Sequence, residues 1–235
     1  LSVIFLFHIS TLFAQSNHQN VFIIGSLERP AELTLPKEYD QNKKLPIVIT
    51  LHGYSKSGNY FPRLFAALES VEANKHILIN PLGTQNSLGN YFWNAVDDGC
   101  CDFDSQRPDD VQYITGLIYQ AIGLYNGDAS KVMVIGHSNG GFMAHRLACE
   151  VGNLIHTIVN IAGSAYNDFS KCATTGYPNI LNIHGTLDNV VSFQGGFINL
   201  RSYPSAEVST LNWALRSGCG AEASMVASYD FFEGI

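Results

Sequence analysis

The stretch Val132-Met133-Val134-Ile135-Gly136-His137-Ser138-Asn139-Gly140-Gly141 limits most tightly what this chain can fold into. A short β-branched apolar run stops at a glycine. Helix-compatible residues begin almost at once, from Phe142. The run reads as a strand and the following residues as a helix, with no loop between them. Such a junction must be a sharp turn, in which side chains at positions 136 and 140 have no room, hence the two glycines. Ser138 stands at the apex, in a strained conformation that thrusts its hydroxyl out of the sheet.

Gly-x-Ser-x-Gly between a strand and a helix is the nucleophile elbow of serine hydrolases. Ser138 is therefore the candidate nucleophile. The N–H of Asn139, next in the chain, is a candidate oxyanion donor. The second donor is expected after another buried strand. Leu45–Leu51 is a nearly continuous apolar run, as suits a strand covered on both faces, and His52-Gly53-Tyr54 follows it directly. The N–H of Tyr54 is the second candidate. On its own, His52-Gly53 reads as an ordinary strand-ending turn; the elbow gives it a function. His137 precedes the nucleophile, and its ring should point away from the serine hydroxyl. It is a candidate substrate contact.

The remaining chain alternates strands and helices. Val21–Ile24, Ala31–Leu35, His76–Asn80, Leu154–Gly163 and Tyr177–Gly185 read as strands, and Ser224–Phe232 as the start of a last one. Asn59–Val71, the stretch opened by Asp109 or Asp110, Asn139–Cys149 and Pro204–Ser217 read as helices, with the aspartates as caps. This pattern predicts an α/β protein of the α/β-hydrolase kind, a mainly parallel sheet flanked by helices. Residues 21–235 form one such domain. Pro81–Pro108 is a long insertion holding Tyr91, Trp93 and Cys100-Cys101. Its aromatics either line a substrate cleft, with Tyr91 and Trp93 as candidate contacts, or pack among themselves. Asp188 lies just past the strand ending at Gly185, where the acid that orients a catalytic histidine belongs. Its bland alternative is a turn residue beside Asn189.

Formal net charge is -7 with no basic run, which argues against a nucleic-acid partner. Leu1–Ala14 reads as the apolar core of a secretory signal peptide, too short to span a bilayer. No other stretch is a transmembrane candidate, so a secreted protein without stable membrane insertion is expected. Five cysteines in an exported chain suggest disulfides. Cys149 and Cys172 can meet, whereas the adjacent Cys100 and Cys101 are expected to bond outward rather than to each other. Cysteine spacing gives no metal site, and the chemistry needs no cofactor.

The expected order is serine, acid, histidine, and no histidine follows Asp188. The reading here is a chain cut before its catalytic histidine, nearly inactive by itself because an unassisted serine is a weak nucleophile. A serine peptidase of the same fold and a non-catalytic binding member lacking the histidine are the alternatives.

Leu51-His52-Gly53, Phe92-Trp93-Asn94-Ala95 with Cys100-Cys101, Asp109-Asp110-Val111, Gly136-His137-Ser138-Asn139-Gly140-Gly141 and His184-Gly185-Thr186-Leu187-Asp188 occur in one order. In that order they resemble the polyhydroxybutyrate depolymerase / feruloyl esterase family of secreted α/β-hydrolases. The resemblance runs from about Val21 to the end. It implies Ser138 as nucleophile, Asp188 as acid and an acyl-enzyme route. It also implies an extracellular ester substrate: a feruloyl or acetyl ester on plant polysaccharide, or a polyester. The family's Gly-His segment has no match here.

Overall fold

The computed structural model describes residues 20–55, 67–96, 100–173 and 176–224. The leader expected over 1–14, the start of the helix expected from Asn59 and the strand expected beyond Ser224 lie outside the described residues.

One seven-stranded sheet organises the chain. Its strands are β1 (Val21–Gly25), β2 (Pro30–Thr34), β3 (Leu45–Leu51), β4 (Ile77–Pro81), β7 (Gly127–His137), β8 (Thr157–Ile161) and β9 (Asn179–Ile183). The spatial order is β1-β2-β4-β3-β7-β8-β9. β1, β2 and β4 pair antiparallel. From β4 through β3, β7 and β8 to β9 every pairing is parallel. Strand-and-helix alternation in the sequence demands this, because a parallel strand needs a crossover to return to the same edge.

The parallel strands alternate between two packed faces. Ile47, Ile49, Leu51, Ile77, Ile79, Val132 and Val134 join one core with two helices. These are α2 (Asp110–Tyr125) and α3 (Asn139–Glu150). Val48 and Leu78, out of phase with them, pack instead with Val71 of α1 (Ala67–Asn74). The sheet is thus covered on both sides, which is why its central strands read as unbroken apolar runs. A last helix, α4 (Ala206–Arg216), adds Trp213 to the first core.

The insertion after β4 is more regular than expected. It contains a two-stranded ladder of β5 (Thr84–Gln85) and β6 (Tyr91–Phe92). A second small hairpin, β10 (Gly196–Ile198) with β11 (Arg201–Tyr203), precedes α4 and left no clear sequence pattern. Asp109 caps α2, accepting the Gln112 N–H at 2.9 Å. Asp110 does something else. Fully buried, it accepts Arg29 Nη2 at 2.7 Å and the Asn94 N–H at 2.6 Å, tying the β1–β2 turn to the insertion.

The cysteines bring one agreement and one correction. Cys149 and Cys172 form a disulfide. Cys100 and Cys101 bond to each other rather than outward. Both are buried with Phe92, against Tyr54 and Ile198, and no other cysteine shares that cluster. Cys219 is free and exposed.

Candidate active site

β7 delivers Ser138 directly into α3. The serine has φ 52° and ψ -120°, outside the regions an L residue prefers. Its backbone is held on both sides. The Ser138 N–H donates to the Ile161 carbonyl at 2.8 Å, and its carbonyl accepts the Gly141 and Phe142 N–H groups at 2.8 and 3.1 Å. A methyl at Gly136 would overlap the Gly140 carbonyl, and one at Gly140 would overlap the Leu51 carbonyl. Gly140 is therefore the point where the elbow touches the end of β3. Among the described residues the Ser138 hydroxyl has no hydrogen-bond partner and is half-buried.

The turn after β3 faces this serine. A Cβ placed on Gly53 would lie 3.2 Å from Ser138 Cβ. The Tyr54 N–H makes no hydrogen bond among the described residues. The N–H of Asn139 opens a helix, where no intrahelical acceptor exists. His52 is buried, 2% exposed. Its Nε2 lies 2.9 Å from the Gly83 N–H and its Nδ1 2.7 Å from the Gly53 carbonyl. An N–H can only donate, so Nε2 is the bare nitrogen and Nδ1 carries the proton. Burial pushes the His52 pKa down to about 4, against the opposing pull of the Gly53 carbonyl.

Asp188 sits on the turn after β9. Its Oδ1 accepts the Val190 and Val191 N–H groups at 2.8 and 3.0 Å. His184 Nε2–H donates to the Val191 carbonyl at 2.7 Å and lies 3.7 Å from Asp188 Oδ2. One carboxylate oxygen therefore holds the loop, and the other makes no hydrogen bond among the described residues. The Asp188 charge reaches His137, raising a pKa that burial of that imidazole pulls down more strongly. The turn carrying Asp188 thus lies within electrostatic reach of His137, beside Ser138 in the chain.

The substrate contacts expected in the insertion separate. Trp93 is 0% exposed, and its indole N–H donates to the His52 carbonyl at 2.9 Å. It lies in the core and does not line a cleft. The sequence could not show this, because an aromatic in an irregular loop carries no periodicity to mark its inner face. Tyr91 is half-buried, with its backbone paired to Ser55 and its ring edge-on to His52. Two clefts open nearby. One of about 680 Å³ lies beside the acid loop, against Asn182, His184, Phe193 and Leu211. The other, about 650 Å³, is strongly polar, with Arg107, Arg146 and Arg201 among its walls. Neither has Ser138 in its wall.

A second buried histidine is a structural element of α3. His145 of α3 accepts the Trp213 N–H on Nδ1 at 2.9 Å, and burial takes its pKa down to about 3. Both His52 and His145 are neutral when folded and free to protonate when unfolded. The unfolded chain therefore binds more protons below pH 6.5, the ordinary histidine value. Stability is full above about pH 6.5 and falls with acid by about 1.4 kcal/mol per pH unit for each histidine, until the folded pKa values are reached. Urea unfolding at pH 7.5, 6 and 5 should show this decline. A flat profile over that window would refute the neutral, buried assignment.

A mostly parallel sheet carrying a serine on a strained strand-to-helix turn, with an acid loop after a later strand, defines an α/β-hydrolase. Comparison with known proteins narrows the kinship. Feruloyl esterase B of Piromyces equi is 25% identical over 205 residues, covering 83% of this chain and 36% of that protein. The bifunctional acetylxylan esterase/xylanase XynS20E of Neocallimastix patriciarum is 25% identical over 149 residues, covering 63% of this chain and 20% of that protein. The chain therefore spans well under half the length of these relatives. Among solved structures, acetyl xylan esterase from Aspergillus awamori aligns with TM-score 0.64 at 16% identity, over 87% of this chain and 82% of that one. A thermostable esterase gives 0.62 at 17% identity, over 86% and 53%. These likenesses show the α/β-hydrolase fold. No family model matches the chain. The relatives are esterases by name, in keeping with the resemblance carried by the motifs. Among the described residues, no helix is long and apolar enough to cross a membrane.

Proposed function

We propose that this chain is the core of a secreted serine esterase that cleaves acyl esters through an acyl-enzyme. The observation that carries the reading is the conformation of Ser138, a non-glycine residue at φ 52° whose turn is closed by glycines on both sides and faced by Gly53. Strain of that kind costs about 1–3 kcal/mol and persists where it is used. In the proposed mechanism Ser138 attacks the ester carbonyl. The N–H groups of Tyr54 and Asn139 receive the oxyanion. Asp188 orients a histidine from outside the described residues, which takes the serine proton and returns it to the leaving alcohol. Water then releases the acid.

The names of the relatives favour a feruloyl or acetyl ester on plant polysaccharide over a polyester or peptide. The two disulfides support an exported protein, and residues 1–14 are proposed as its signal remnant, ahead of a single domain over 21–235. The test is a panel assayed with the full-length protein: methyl ferulate, acetylated xylan, 3-hydroxybutyrate oligomers and peptide amides. Turnover of the first two supports the proposal. Preferential cleavage of amides would replace it with a peptidase, and binding without turnover would replace it with a carbohydrate-binding role.

A further inference from the structure

Asn139 has a second task besides opening α3. Its side chain is fully buried and reaches across the fold with three hydrogen bonds. Oδ1 accepts the Trp93 N–H at 2.7 Å, and Nδ2 donates to the carbonyls of Trp93 at 3.1 Å and Cys100 at 2.8 Å. Trp93 then passes the connection on. Its indole N–H donates to the His52 carbonyl at 2.9 Å, and its ring packs on the His52 imidazole with centroids 4.9 Å apart. His52 Nδ1–H grips the Gly53 carbonyl. Gly53 faces Ser138 again. A circuit of buried hydrogen bonds leaves the residue after the serine and returns to the turn opposite it.

The last link has a directional consequence. The Gly53 carbonyl and the Tyr54 N–H belong to one planar trans peptide and point in opposite directions. Holding the oxygen therefore aims the N–H. If the peptide flipped, the carbonyl would face the site in place of the donor. Oxyanion stabilisation depends on donors fixed before the charge develops, since reorienting them during the reaction costs barrier.

We propose that the side chains of Asn139 and Trp93 are positioning residues that hold the two oxyanion donors, Tyr54 N–H and Asn139 N–H, in fixed relation. This rests on the serine-esterase reading above. It gives Trp93 a role from inside the core in place of substrate stacking. It also explains why an amide follows the nucleophile: only a group with both an acceptor and two donors meets the Trp93 N–H, the Trp93 carbonyl and the Cys100 carbonyl at once.

The test uses the full-length protein and p-nitrophenyl acetate. Trp93→Phe keeps an aromatic ring against His52, removes the N–H to the His52 carbonyl and leaves a small void where the second ring of the indole lay. It should lower kcat about tenfold and leave KM within about twofold, since the ground-state ester does not use the oxyanion donors. Affinity for a boronic acid, which forms a tetrahedral adduct on the serine, should weaken by the same factor as kcat. Asn139→Asp keeps the acceptor for the Trp93 N–H and loses the donors. It should act in the same direction and more strongly; if it does not fold, Trp93→Phe decides alone. A Trp93→Phe protein with a lower melting temperature but unchanged kcat and boronate affinity would show a purely structural tryptophan and overturn the proposal. Ser138→Ala separates the two levels. If that variant still hydrolyses the ester, the serine reading itself falls. If it is dead while Trp93→Phe is unaffected, only the positioning role falls.

Discussion

Ser138→Ala in the full-length protein should reduce ester turnover by at least about 10⁴-fold while leaving the fold intact. Both halves of that result follow from the elbow. The Ser138 hydroxyl has no hydrogen-bond partner among the described residues, so removing it breaks no hydrogen bond there. Alanine carries the same Cβ and suffers the same strain at φ 52°. Melting temperatures of the two proteins should therefore agree closely. Ser138→Gly sharpens the point. Glycine tolerates this backbone, so the variant should be equally dead and more stable by about 1 kcal/mol. An inactive enzyme that is more stable than its parent is the signature of strain kept for function. Steady-state kinetics beside urea unfolding would measure both. A Ser138→Ala protein with substantial turnover would leave the elbow as mere architecture.

Asp188→Asn carries the second large effect. Its Oδ1 accepts two backbone N–H groups, and an asparagine oxygen can accept both. The loop after β9 should therefore persist. The other oxygen becomes an NH₂ group, a donor where the orienting role needs an acceptor. A histidine there would be held in the wrong tautomer or released. The expected loss is about 10⁴-fold in kcat, with KM little changed. The variant also distinguishes the two readings of this aspartate. If Asp188 only closes a turn, asparagine serves equally well and activity stays at the parental level. If it orients a base, activity collapses at unchanged melting temperature.

At Asp188 the turn description and the proposed orienting role are compatible. Asp188 does close the turn, as the neighbouring Asn189 suggested, and those bonds use only Oδ1, while Oδ2 lies 3.7 Å from His184 Nε2. The turn seen in the structure leaves room for the proposed catalytic role and does not replace it. Trp93 went the other way. A conspicuous aromatic in a polar insertion looked like a substrate platform, and it is a core residue. The adjacent Cys100 and Cys101 read as bonding outward, and they are joined to each other. Asp109 and Asp110 looked equivalent, yet one caps a helix at the surface and the other is buried against Arg29, 81 residues earlier in the chain.

By itself the sequence determined the strands of the main sheet and the elbow, but not the two small hairpins β5–β6 and β10–β11. Gly136, Ser138 and Gly140 specify the elbow because its geometry is settled within five consecutive residues. The apolar runs at β3, β4 and β7 specify a buried parallel sheet because burial on both faces leaves no polar phase. What only the tertiary structure decided is which buried polar groups meet. Asn139 finds Trp93 at 46 residues' distance, Trp93 finds His52 at 41, and His52 finds Gly83 at 31. Periodicity is silent about such pairs, since Trp93, His52 and Gly83 lie in loops and Asn139 at the very start of α3, and each partner is chosen by where the sheet brings the strand ends together. Burial then makes the choice binding, because a polar group enclosed without its partner costs more than the hydrogen bond gains.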